Sequence, residues 1–205
     1  MGAEFKQVDP QFIMVQYDIP QGTPQGGELR AELKANGAAM VTMSVYMVRY
    51  TPELYERIQG ICAKHPRIRC YITTPEYPVD QAAMVRQQYE EGFRADFHEA
   101  KKKLMWCDQA LAGEILWTDK EGKKPDRPFK ANEIMQRIKT VENLIRNMEK
   151  SLAARKKNEP DTNFDELEAE IRHDNSYLNT LYRACNTYKN RGINPAMKLD
   201  GAGAE

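Results

Sequence analysis

The sequence predicts an α+β fold in two parts, a small β-α-β-β-α-β domain over about residues 8–78 and a long-helix extension over about 80–192. Three observations carry this. Between residues 11 and 75, short runs rich in Val, Ile, Tyr and Met alternate with short amphipathic stretches. From Phe93 onward, apolar residues recur in alternating steps of four and three, the rhythm of a helix seam. The composition, 41% hydrophobic and 29% charged over 205 residues, suits a chain with much solvated helix surface.

Phe12 to Tyr17 is an apolar run bounded by Pro10 and by Asp18-Ile19-Pro20, which reads as a buried central strand. Gln21 to Gly27 holds three glycines and a proline and reads as a loop, followed by a short helix over Leu29–Ala35. Asn36-Gly37 stops that helix, because both residues tolerate the left-handed backbone of a helix C-terminus. Ala39 to Tyr50 is too long for one strand, so it reads as two strands or one with a bulge. Thr51-Pro52-Glu53 starts a helix that runs to about Lys64, with a hydroxyl cap, proline in the first turn and an acid at the positive dipole end. Arg67 to Thr73 alternates basic or polar with apolar residues and reads as the closing strand. This order matches a ferredoxin-like sheet with two helices on one face.

The extension carries three seams. Phe93, Phe97, Ala100, Leu104, Cys107 and Leu111 lie on a helix expected over Asp80–Trp117. Ile134, Ile138, Val141, Ile145, Met148 and Leu152 form the second. Phe164, Leu167, Ile171, Asp174, Leu178, Leu181, Cys185 and Tyr188 form the third, opened by Asn163 and Glu166 as a capping box. Linkers are expected near 119–131 and 155–162, and residues 193–205 as a frayed tail. Such seams close as a folded-back three-helix coiled coil or between two chains. Asp174 on an apolar seam marks either a splayed layer or a polar register device.

Acidic and basic residues balance at 30 each, which excludes a uniformly basic nucleic-acid coat and leaves local patches open. No run reaches the roughly 20 apolar residues that span a bilayer, and the first ten residues hold no apolar signal core. Cys62, Cys70, Cys107 and Cys185 form no CxxC pair and read as reduced thiols of a cytoplasmic protein. His65, His98 and His173 are equally scattered, without zinc-ligand spacing. The phosphate-loop, dinucleotide, zinc-protease and nucleophile-elbow signatures are missing.

Val15-Gln16-Tyr17-Asp18-Ile19-Pro20, the helix with Leu29 and Leu33, Gly37, Met43-Ser44-Val45-Tyr46-Met47-Val48 and the Thr51-Pro52-Glu53 start together resemble the small CRISPR-associated Cas-two family. The same domain is similar to part of the PaaX and ChrB regulators and of the VapD toxin-like nucleases. The resemblance covers about residues 11–75. It implies a ferredoxin-like dimerisation domain, and in nuclease members an aspartate at the end of the first strand that holds a divalent metal across the dimer axis. That aspartate matches Asp18, whose carboxylate suits a hard divalent cation such as magnesium. No second acid or histidine lies near Asp18 in sequence, so a general base is unassigned, and Asp18 before Ile-Pro also suits a turn cap.

Basic residues gather at Lys64, His65, Arg67 and Arg69, at Lys101–Lys103, at Lys120 to Lys130 and at Arg155–Lys157. Arg67 and Arg69 are expected to share one sheet face with Tyr71, offering charge for a nucleic-acid backbone and a ring for a base. The other runs read as solvated surface. The function expected is therefore a nucleic-acid-associated binding or regulatory protein, a homodimer through its sheet domain, more a binder than an enzyme and without a required cofactor. DNA or RNA is the expected partner, held through Lys64, Arg67, Arg69 and Tyr71. The alternatives are a metal-dependent nuclease using Asp18 and a coiled-coil assembly adaptor whose helices hold a protein partner.

Overall fold

A computed structural model describes residues 11–19, 26–119 and 126–191. The start of the first domain, the loop after Ile19, Lys120 to Lys124, Gly192 and the 193–205 tail lie outside the described residues. The chain is α+β. Its elements run β1 (Phe12–Asp18), α1 (Gly26–Ala35), β2 (Ala39–Thr42), β3 (Val45–Arg49), α2 (Pro52–Ala63) and β4 (Arg69–Thr73). They continue with α3 (Val79–Ala112), β5 (Leu116–Trp117), β6 (Arg127–Pro128), α4 (Ala131–Asn158) and α5 (Asp165–Arg191). No described helix is long and apolar enough to cross a membrane.

The four longer strands form one antiparallel sheet in the order β2-β3-β1-β4. The Ala39–Tyr50 segment forms two strands, with a turn at Met43-Ser44 and a register shift between Met40 and Thr42. α2 starts as its residues dictate, with Thr51 accepting a hydrogen bond from the Leu54 amide at 3.1 Å and Pro52 in the first turn.

Alternation along each strand sorts side chains onto two faces. Ile13, Val15 and Tyr17 of β1 and Tyr46 and Val48 of β3 join Leu29 and Leu33 of α1 and Leu54, Ile58 and Ile61 of α2 in one core. The opposite face is covered only in part. Phe12 lies 5.1 Å from the ring of Tyr89 on α3. Gly92 meets β2 so closely that a Cβ there would sit 2.4 Å from the Met40 carbonyl oxygen. The sequence offers Gly92 only as a weak point in a helix. The structure gives it a purpose, since no other residue lets the helix backbone approach the strand this closely.

Compactness divides the chain into one unit within 1–96 and 147–164 and another within 97–146 and 165–205. In the second unit, Tyr182 donates to Glu142 at 2.6 Å and Tyr188 to the Phe129 carbonyl at 3.0 Å, which sets α5 antiparallel to α4. Lys101 pairs with Glu170, joining α3 to α5. The predicted seam residues are buried in all three helices, apart from half-buried Tyr188.

Four expectations need correction. α3 ends at Ala112, not Trp117, because Gly113 adopts a φ of +74° and takes the chain into the left-handed region. The 119–131 linker is not plain, because Arg127–Pro128 pairs with Leu116–Trp117 as a short hairpin. The second linker begins at Glu159 and not at Arg155, because α4 keeps its helix through Asn158. β4 starts at Arg69, because a turn closed by the Ile68 amide on the His65 carbonyl at 2.9 Å holds Arg67 outside the strand.

Candidate functional site

The uncovered part of the second sheet face lies on β1 and β4. Antiparallel register places Asp18 opposite Arg69, Gln16 opposite Tyr71 and Met14 opposite Thr73. Directly opposed residues share a face, so these six side chains form one patch. Asp18, Gln16, Arg69, Tyr71 and Thr73 are exposed, and Met14 is half-buried. Tyr71 leaves 58% of its surface open, an unusual exposure for a tyrosine on a strand.

The sequence-predicted binding residues separate into three places. Arg69 and Tyr71 stand together on the patch. Arg67 is exposed in the turn ahead of β4. Lys64 caps the end of α2 and points its ammonium at Glu32 of α1, 3.1 Å away. His65, buried in the same corner, brings Nε2 to 3.1 Å from the other Glu32 oxygen. The hydrogen bond from Lys64, aided by His65, holds the Glu32 carboxyl below its ordinary value against the pull of burial. Lys64 is therefore matched by an acid, whereas neither Arg67 nor Arg69 has an acidic partner among the described residues.

Asp18 contributes a single carboxylate at the end of β1. Asp18 stands opposite Arg69 in the ladder register, and among the described residues no group of three or more His, Cys, Asp or Glu could hold a metal. Ser44 lies exposed in the β2–β3 turn, where its carbonyl accepts from the Tyr17 amide at 3.0 Å. Thiol chemistry is also disfavoured. The four cysteines are free, and burial pushes the Cys62 thiol up to about 12.

One charged cluster was hidden in the sequence. Arg155 is fully buried, with Nε 2.9 Å from Glu159 Oε1 and Nη2 2.7 Å from Glu90 Oε1. Its guanidinium lies 4.4 Å from the ring centres of both Tyr89 and Phe93. Burial works to depress its pKa, but the hydrogen bonds to Glu159 and Glu90 prevail and hold it above the ordinary value. Tyr89 donates to Glu159 at 2.8 Å, and Asn158 donates to the Asn36 carbonyl at 3.2 Å, which ties α4 to the α1–β2 turn. Arg155 is a cross-brace and not part of a solvated basic run. The signal was the seam itself, since Arg155 and Glu159 continue the second seam beyond Leu152 by steps of three and four.

Compared with known proteins, the chain matches no family model, no curated protein and no solved structure.

Proposed function

We propose that this chain is a nucleic-acid-associated binding protein that works through the open face of a ferredoxin-like sheet domain. The observation that carries the reading is Tyr71, a largely exposed ring on a strand, with Arg69 two residues along the same face. An aromatic ring on a sheet offers a stacking platform for an unpaired base, and a neighbouring guanidinium offers charge for the adjoining phosphate. Gln16, opposite Tyr71, adds an amide able to bond a base edge. The β2-β3-β1-β4 order supports the ferredoxin-like assignment. The edge position of β4 supports dimerisation through the sheet, because an edge strand carries unpaired backbone groups that a second copy can use.

A single-stranded ligand suits the patch better than a duplex, because stacking needs a base out of its pair. Opposite Asp18, the local field is mixed, so affinity comes from one or two phosphate contacts plus stacking, not from a broad positive surface. The adaptor reading is weaker. Met84 and Met105 are exposed on α3, but the positions between them at heptad spacing are Glu91 and His98, so no continuous apolar stripe is offered. Fluorescence anisotropy with a labelled single strand and the matching duplex, each at two salt concentrations, tests the proposal. Binding that prefers the single strand and weakens with salt is expected. Equal and salt-independent responses would overturn it.

A further inference from the structure

The second unit holds a groove of about 460 Å³ lined by Trp106, Phe129, Glu133, Gln136, Arg137 and Thr140. We infer that this groove binds a small aromatic phosphate, a nucleoside 5′-monophosphate. The volume falls within the roughly 300–1,000 Å³ of small-molecule sites.

Charge accounting within the groove singles out Arg137. Glu133 is already taken, because Arg127 grips it with two hydrogen bonds of 2.7 and 3.0 Å and the Lys130 amide adds a third at 2.7 Å. Glu99, an acid that feels the charge of Arg137, is bonded to Lys103. Arg137 itself has no hydrogen bond or ion pair among the described residues. Its guanidinium lies 5.0 Å from the ring centre of Trp106. That cation–π contact consumes none of its N–H donors, so the guanidinium fork is left for an oxyanion.

The remaining lining describes the rest of the ligand. Trp106 and Phe129 meet edge to face with centroids 4.8 Å apart and form an apolar wall for a planar ring. Thr140 spends its proton on the Gln136 carbonyl at 3.0 Å, so its hydroxyl turns lone pairs outward and asks for a donor. The Gln136 side-chain amide both donates and accepts. An inorganic anion leaves the apolar wall without a partner, and a neutral ring leaves Arg137 without one. A base, a hydroxylated sugar and a phosphate satisfy all three. This site does not rest on the sheet-face reading.

The test uses the full chain with Trp117→Phe, which leaves Trp106 as the one tryptophan of the two in the sequence. Trp106 emission is titrated with adenosine 5′-monophosphate, with adenosine and with inorganic phosphate. Calorimetry on the unsubstituted chain runs beside it. A saturable response to the monophosphate is expected, with adenosine and phosphate each at least about tenfold weaker. Arg137→Gln should lose at least about tenfold while its helicity and melting stay unchanged, and Tyr71→Ala should lose nothing. No heat or emission change up to about 5 mM monophosphate, equal binding of adenosine, or undiminished binding by Arg137→Gln would overturn the assignment.

Discussion

Asp18 and Arg69 face each other across the β1–β4 ladder, acid against base on one exposed surface. The carboxylate therefore offsets the charge that a phosphate would seek. Asp18→Asn should strengthen binding of a single strand at low salt by a few fold. Arg69→Ala should weaken it and lower the slope of log affinity against log salt by about 0.7, the single-strand value for one phosphate contact. Anisotropy titrations over a salt series check both. A loss of binding in Asp18→Asn would mean that the carboxylate touches the ligand.

Arg155 makes a second demand. It is enclosed by Glu159, Glu90 and three aromatic rings, so its removal leaves buried Glu159 without its countercharge. Arg155→Ala should cost about 3–5 kcal/mol in denaturant unfolding. A cost below about 1 kcal/mol, the level of an exposed pair, would show that the cross-brace contributes little.

Much of the fold was legible because it rests on strong local signals. Thr51-Pro52 fixed the α2 start, and the seam residues named the buried faces of the long helices. Arg155 was overlooked because it opens the polar run Lys156-Lys157-Asn158 and so reads as a solvated helix end although its spacing continues the seam, while its partners Glu90, Tyr89 and Phe93 lie more than sixty residues earlier. Arg67 was misplaced for the opposite reason. Alternation in Arg67-Ile68-Arg69-Cys70 continues past the true strand start, and only the turn that closes on His65 breaks it. The open face of Tyr71 is set by where α3 lies over the sheet, which no pattern within β4 encodes.

Asp174 sits at 2% exposure on the α5 seam, with Oδ2 lacking a hydrogen-bond partner among the described residues and Oδ1 3.6 Å from His173 Nδ1. It does not lie in a splayed, hydrated layer. Burial raises its pKa, opposed by His173 and Lys101. A raised carboxyl pKa destabilises the folded chain while the group is charged. The cost is present at neutral pH, shrinks as pH falls through the folded value, and vanishes below the unfolded value of about 3.9. Asp174→Leu should thus melt higher than the parent at pH 7, with the gap narrowing toward pH 4. Paired thermal melts across that range check the sign. A variant that melts lower at pH 7 would reveal a compensating partner for the carboxylate.

Gly92 is constrained by the approach of α3 to β2. A methyl group there would press on the Met40 carbonyl oxygen. Gly92→Ala should destabilise by about 1–3 kcal/mol, although alanine favours a free helix by about 1 kcal/mol. Stabilisation in a urea melt would mean that the helix lies farther from the strand than this contact requires.

In the proposed binding mode, Tyr71 is the stacking platform. Tyr71 is more than half exposed, so its loss should leave stability almost unchanged while binding suffers. The direct measurement is the affinity of the parent chain, Tyr71→Phe and Tyr71→Ala for one short labelled single strand at fixed salt. Near-parental binding by Tyr71→Phe is expected, with a loss of about 1–3 kcal/mol, roughly fivefold to 150-fold, by Tyr71→Ala. Equal affinity in all three proteins, with all three equally folded, would contradict it.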